Sequence, residues 1–287
     1  MSSYSIADYV VSIYTLLLGS MTLRFNPNAR KNQIFFLVTL FSFIWLFSYG
    51  LSDSVHDHKI KLMLLKLGHL GAMQLSPAIY FLTLEILQAH KKKIDVYWAR
   101  FAILLCAAFS VLIFTSPLYF KGIVMREWGY YPVGGILMFV YALFTFTMAS
   151  RIVYVLFQAS KKAHKEFQYN DYQKFKYHSI SVIIFVFAAI DYLPKFGINF
   201  YPFGYVFVGL FSSISTYAII RHKLFDIDIV IRRSFVYSSL IASLTLIYLS
   251  IILISERIFS SFFGYRSIVI ALIASSVVAL TFNPLRF

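Results

Sequence analysis

Nine apolar runs, most close to the length of a membrane-crossing helix, follow one another with only short polar segments between them. No motif in the chain constrains its fold as much. A bilayer core about 30 Å thick takes roughly 20 apolar residues as a helix. On that measure the spans fall at 4–23, 34–51, 63–87, 98–115, 133–157, 180–193, 201–220, 235–255 and 267–282. The runs are continuous, whereas barrel strands alternate in polarity over about ten residues, so the expected fold is an all-α polytopic bundle. The sixth run is short unless it begins near Tyr177. The ninth is short and rich in small residues, Ala271, Ala274, Ser275, Ser276 and Ala279, which suits close helix packing. Only 13% of the 287 residues are charged and 60% are hydrophobic. A soluble domain carries about 25% charged residues, so this chain lacks the charge to cover a water-facing surface.

The charge sits between the runs. Eighteen Lys and Arg fall in one alternating set of connections, among them Arg24, Arg30, Lys31, Lys91, Lys92, Lys93, Lys161, Lys162 and Lys165. Eight fall in the other set, among them Lys59, Lys61, Lys121, Arg126 and Lys195. Positive charge stays in the cytoplasm, so the N-terminus is expected outside and the C-terminus inside. The side of the C-terminus depends on residues 235–282 crossing twice. The net charge of +14 is therefore read as a topology signal and a contact for anionic membrane lipids. Nucleic acid is excluded as a partner, because no soluble segment carries a basic stripe with interleaved aromatics.

Cys106 lies inside an apolar run and has no second cysteine to pair with. The first run has neither the basic flank nor the cleavage site of a signal peptide, so it is expected to be retained. The longest connection, 158–177, reads as a polar cytoplasmic loop of about twenty residues. Internal repeats and paired Gly/Pro-broken helices are absent from the sequence, which weakens a transporter reading.

Three stretches share an order and spacing with a known group. They are Gln74-Leu75-Ser76-Pro77-Ala78-Ile79-Tyr80-Phe81, then Asp191-Tyr192-Leu193-Pro194 with Tyr201-Pro202-Phe203-Gly204-Tyr205, and then Arg221-His222-Lys223-Leu224-Phe225-Asp226 with Ile231-Arg232-Arg233-Ser234. Over residues 1 to about 230 the chain resembles the seven-helix membrane sensor region at the N-terminus of many bacterial histidine kinases. The resemblance implies a sensor domain at 1–223, a cytoplasmic basic elbow at 224–234 and a two-helix membrane extension at 235–287. It also implies a bacterial cytoplasmic (inner) membrane location, a homodimer, and a kinase or cyclase domain supplied in cis or in trans. Arg221, His222, Lys223, Phe225 and Asp226 would form the signal hinge. The chain itself holds no nucleotide box and no phosphoacceptor His at the head of a soluble helix; His164-Lys165-Glu166 is the nearest imitation. No kinase activity, no cofactor and no metal are expected of residues 1–287.

The residues agree with a signalling hairpin. Pro194 and Pro202 bracket a short outer turn around Gly197, which fixes two antiparallel helices. The seventh span then runs without proline into Arg221. Ionisable groups inside a bilayer are costly and are functional candidates by default. Asp191 reads equally as a ligand group or as an interfacial carboxylate in water. For Glu85 an inner-leaflet salt bridge with the Lys91–Lys93 segment is favoured over a ligand role. His69 and Gln74 share the third span on roughly opposed faces. Gln74, three residues before Pro77, is assigned to the backbone group that the proline frees, with a polar pocket wall as the alternative. Asp53, His56, Asp57 and His58 are read as a solvated loop rather than a metal site, because adjacent residues rarely converge. Trp128, Tyr130, Tyr131, Tyr192, Tyr201 and Tyr205 fit an aromatic belt or, alternatively, a ligand cage.

A retinal-binding reading fails because the middle of the seventh span has no lysine. A membrane enzyme would need His, Asp or Glu converging at one depth, and His69, Glu85 and Asp191 are spread along the spans. The expected function is a sensor for an extracellular or membrane-dissolved ligand, small or lipophilic, signalling through the seventh helix. The alternative is a small-solute transporter or channel-like protein. The expected ligand residues are Gln74, Trp128, Asp191, Tyr192, Tyr201 and Tyr205, in a pocket between spans three, five, six and seven.

Overall fold

The computed structural model describes residues 3–88, 92–126, 128–221 and 248. Its elements are α1 Ser3–Phe25, α2 Arg30–Ser54, α3 His58–Leu87, α4 Lys93–Thr115, β1 Phe120–Arg126, β2 Gly129–Gly134, α5 Ile136–Lys165, α6 Tyr169–Val186 and α7 Gly204–Arg221. Six of these helices are long and apolar enough to cross a membrane, α6 being extended through Phe196, and α7 is a shorter apolar helix. Each of the first seven apolar runs therefore contains a helix. The runs at 235–255 and 267–282, the elbow at 224–234, and His222, Lys223, Phe225 and Asp226 lie outside the described residues.

Chain neighbours α1, α2 and α3 pack in sequence, as do α5, α6 and α7, and α7 returns to α1 to close the bundle. Helix α3 touches α2, α4, α5 and α6. In its most apolar window 67% of α3 is buried, against 28% for α4, which makes α3 the central helix and α4 the outlying one. The surface is apolar: Leu104 is 70% exposed, Val111 61% and Phe157 65%. The interior instead holds Ser12, Thr15, Thr39, Ser42, Ser212, Ser215 and Thr216, all buried. That inversion suits lipid, which supplies no hydrophobic drive between helices and favours small and hydroxyl residues at their contacts. Thr15 donates to the Ser12 carbonyl at 2.9 Å and Thr22 to the Leu18 carbonyl at 2.8 Å. The Tyr14 hydroxyl meets Ser213 Oγ at 2.8 Å and ties α1 to α7.

Proline 77 lies inside α3. Its missing N–H leaves the Met73 carbonyl, four residues back, without a helical donor. The Tyr141 hydroxyl of α5 donates to that oxygen at 2.7 Å, and Cys106 Sγ of α4 approaches it at 3.5 Å. Gln74 does not serve it: its Nε2 donates across to Ser110 Oγ of α4 at 3.0 Å. A side chain close in sequence points away along the helix, whereas one from a neighbouring helix can reach the freed carbonyl head-on.

Three further expectations are corrected. The segment 158–177 is not a loop, because α5 runs to Lys165 and α6 starts at Tyr169. A tight turn joins them, with Phe167 at a positive φ of 56°. Polar helical residues extend both helices beyond their apolar stretches, with Lys162–Glu166 and Lys174–Asp171 pairs along them. The sixth span is correspondingly longer than 180–193 and ends in two 3-10 turns, Phe187–Tyr192 and Pro194–Phe196. Such tightening is frequent at helix C-termini. Gly197, at φ 97°, then reverses the chain.

The fold is also not purely helical. Strands β1 and β2 pair antiparallel, Ile123 opposite Pro132 and Val124 opposite Tyr131, with an irregularity at Lys121. Gly129 turns the hairpin at φ 131°. A lone hairpin is marginal in water. This one is held by packing, since Tyr119, Phe120, Trp128 and Tyr131 are buried at one end of the bundle.

Candidate functional site

Beneath the hairpin lies a cluster of buried polar side chains. Asp191 lies in the first 3-10 turn of the sixth span, one residue before its end, and is 3% exposed. Its Oδ1 accepts from the Gly204 N–H, the first residue of α7, at 2.8 Å. A helix N-terminus carries unpaired N–H groups and a partial positive charge, so it stabilises a carboxylate there. Glycine is required at 204, because a Cβ would come within 2.5 Å of Asp191 Oδ2. The Asp191 carbonyl accepts from the Tyr131 hydroxyl of β2 at 3.3 Å. Asp191 thus joins the sixth span, the hairpin and the start of α7.

Four residues on, Lys195 is 2% exposed. Its Nζ lies 3.4 Å from His69 Nδ1 on α3. The rings of Tyr192, Tyr49 and Tyr131 surround it at 4.8, 5.5 and 6.0 Å. An ammonium group only donates, so a protonated Lys195 makes Nδ1 the acceptor. The neutral imidazole then carries its proton on Nε2 and donates to the Tyr119 hydroxyl oxygen at 2.9 Å. Tyr119, in the segment between α4 and the hairpin, is held protonated because burial pushes its hydroxyl well above the usual range. The chain Lys195, His69, Tyr119 links the sixth span, α3 and the approach to the hairpin.

From this cluster a cavity of about 90 Å³ runs down between α3, α5 and α6. His69, Asp191, Tyr192 and Lys195 form its polar end, and Ile79, Ile152 and Val182 its apolar end. Residues 69 to 79 of α3 rise about 15 Å at 1.5 Å per residue, which sets its length. Ala72, Ser76, Ala149, Ala188 and Ala189 keep it open by their small size.

The expected ligand residues divide. Asp191 and Tyr192 line the cavity. Trp128 and Tyr201 stack edge to face at 5.9 Å above it, and Tyr205 is buried inside α7. Gln74 lies elsewhere, on the α4 side of α3. The pocket expected between spans three, five, six and seven is lined from three, five and six, with Trp45 of α2 in place of the seventh. The belt reading of the aromatics is corrected for Trp128, Tyr131 and Tyr205, which are buried in the bundle rather than turned to an interface. Asp57 is the N-cap of α3, accepting from Lys59 N–H at 2.8 Å and Ile60 N–H at 2.9 Å. Glu85 is half-buried, and His90 and Lys91 lie outside the described residues. An ion pair does form elsewhere, where Arg151 of α5 meets buried Asp95 of α4 at 2.6 Å.

Sequence reasoning passed over Lys195, Tyr49 and Tyr119. The available signal was the spacing of Asp191 and Lys195, one helical turn apart around Pro194, which read as a loop.

A bundle with apolar outer faces, seven helices and a sealed polar end is a multi-pass helical membrane protein. Residues 9–228 match the family described as the N-terminal 7TM region of histidine kinase. The match spans most of the chain, which belongs to that family. Curated proteins and solved structures give no match.

Proposed function

We propose that this chain is the sensing part of a two-component histidine kinase, detecting a ligand at the Lys195–His69 end of the cavity and signalling through α7. One observation carries the reading: the Asp191 carboxylate both lines the cavity and holds the first N–H of α7. A ligand that moves Asp191 moves the helix leading to Arg221. Binding shifts such an equilibrium only if it differs in free energy between the two arrangements. In this reading the N-terminus and the hairpin are outside, the chain spans the bacterial inner membrane, and Arg221, His222, Lys223, Phe225 and Asp226 form the cytoplasmic hinge. A kinase domain, in cis or in a partner chain, receives the signal, and the working unit is a homodimer.

The test is a fusion of residues 1–287 to a dimerisation and kinase module, read as basal autophosphorylation in membrane vesicles. Asp191→Asn and Gly204→Ala are expected to shift basal output about fivefold or more. Tyr141→Phe, which disturbs α3 but not the α7 cap, should move it far less. If both cap variants fold and leave the output unchanged, the reading is wrong. Uptake of a solute by the reconstituted protein would favour the transporter alternative.

A further inference from the structure

We infer that the cavity binds an anionic single-chain amphiphile, which enters from the lipid between α5 and α6 and places its head group on Lys195. This deepens the proposed sensing role and rests on it.

The head-group end is defined by the unused donors of Lys195. Asp191 attracts Lys195 electrostatically, but the two form no ion pair within 4.0 Å, and Asp191 Oδ1 is held by the Gly204 N–H at the α7 N-terminus. The other buried carboxylate at this end, Asp8, acts on Tyr49 and Tyr205 and does not line the cavity. Lys195 therefore faces a neutral imidazole nitrogen at 3.4 Å and three aromatic rings, with no ion-pair contact to a carboxylate among the described residues. A buried ammonium surrounded in this way has donors to spare, and a carboxylate or phosphate oxygen is their natural acceptor.

The tail end is defined by shape. The walls below Lys195 are mostly Ala, Ile, Leu, Val and Phe side chains, with Trp45 and the hydroxyls of Ser76 and Thr145 among them, over about 15 Å of helix rise. The volume of about 90 Å³ is well below the roughly 300–1,000 Å³ of ordinary ligand pockets, so the cavity encloses only part of a ligand and leaves the rest in lipid. A single chain with one side left to lipid fits it.

Entry follows from what is covered. Buried Tyr119, Phe120 and Tyr131 close the hairpin end, so water-borne access is blocked. The flank is different: Phe146 is 47% exposed beside Ala149 on α5, and Val186 and Ala189 face it from the sixth span. Small residues at that mouth leave a lateral gap opening into lipid.

Trp45 lines the cavity and reports on it. The full chain with Trp98→Phe and Trp128→Phe keeps Trp45 as its one tryptophan and is placed in neutral phosphatidylcholine nanodiscs. It is titrated with 11-bromoundecanoate, its methyl ester, and a bromo-acyl lysophosphatidate. Saturable quenching by an anionic probe, reversed by unbrominated undecanoate, is expected, with the ester at least about tenfold weaker. Saturation by only one of the two anionic probes identifies a free carboxylate or a lipid phosphate as the head group. Lys195→Met should weaken the anionic probe about tenfold or more. Ala189→Phe, which fills the lateral mouth and keeps the Lys195 ammonium, should abolish quenching while the far-UV spectrum stays unchanged. Equal, unsaturable quenching by acid and ester, or quenching indifferent to both substitutions, overturns the inference. Binding without any change in fusion-kinase output would leave this site standing and sink the sensing role. A fusion that responds to another ligand, with no quenching, would do the reverse.

Discussion

At the scale of the residue, the freed carbonyl of Met73 shows how this chain manages a proline inside a lipid-embedded helix. The Tyr141 hydroxyl sits 2.7 Å from that oxygen and the Cys106 thiol 3.5 Å from it. Cys106 Sγ also lies 3.3 Å from the Tyr141 hydroxyl, so three helices meet at one backbone atom. Side-chain hydrogen bonds in membranes average about 0.6 kcal/mol and reach about 1.7, because the unfolded chain also finds partners. Tyr141→Phe leaves only the weak thiol donor, and should lower stability by about 1 kcal/mol in a detergent unfolding titration. The cost depends on Pro77. In a Pro77→Ala background residue 77 regains an N–H for Met73, and Tyr141→Phe should then cost about half as much or less. Equal costs in both backgrounds would mean that Tyr141 matters for packing alone.

At the scale of the element, the hairpin is the part that the sequence concealed. Its strands are short and lie between two apolar runs, so the alternation of 120–134 merges with its flanks. The helices were readable because length and continuity suffice in a bilayer. The Pro194–Gly197–Pro202 turn was readable for a related reason, since proline and glycine act on the backbone locally. Lys195 was readable only in part: Asp191 and Tyr192 stand within one turn of it, but its other partners come from α2, α3 and β2, and nothing along 190–200 announces those. Aromatic residues misled in the same way, because a ring at a helix end has the same sequence signature whether it faces lipid or seals a cavity. The hairpin makes its own prediction. Gly129 sits at φ 131°, and a Cβ there would come 2.5 Å from Asp53 Oδ1 at the end of α2. Backbone of that kind costs other residues about 1–3 kcal/mol. Gly129→Ala should therefore loosen the hairpin from Lys61, whose Nζ lies 4.0 Å from the Tyr130 ring. Hydrogen exchange should rise at 120–134 while α1 and α2 keep their protection. Uniform loss across the helices would show that the hairpin is not a separate stability unit.

At the scale of the whole molecule, the hairpin closes one end of the bundle and the α5–α6 turn marks the other, so a single topology experiment fixes both. Eighteen basic residues in one set of connections against eight in the other favour the hairpin end as the outer one. In that orientation the cavity would open into the outer leaflet, and α7 would lead from Asp191 toward the cytoplasm. Replacement of buried Cys106 by alanine gives a cysteine-free background. Lys121 on β1 and Lys162 on α5 are both exposed, so single cysteines there report opposite ends. In intact spheroplasts Lys121→Cys should react with a membrane-impermeant maleimide, and Lys162→Cys only after the membrane is opened. The converse labelling would put the hairpin in the cytoplasm and detach α7 from any cytoplasmic kinase. Labelling of both in sealed cells would mean a mixed orientation, which the twofold excess of positive charge on one side is there to prevent.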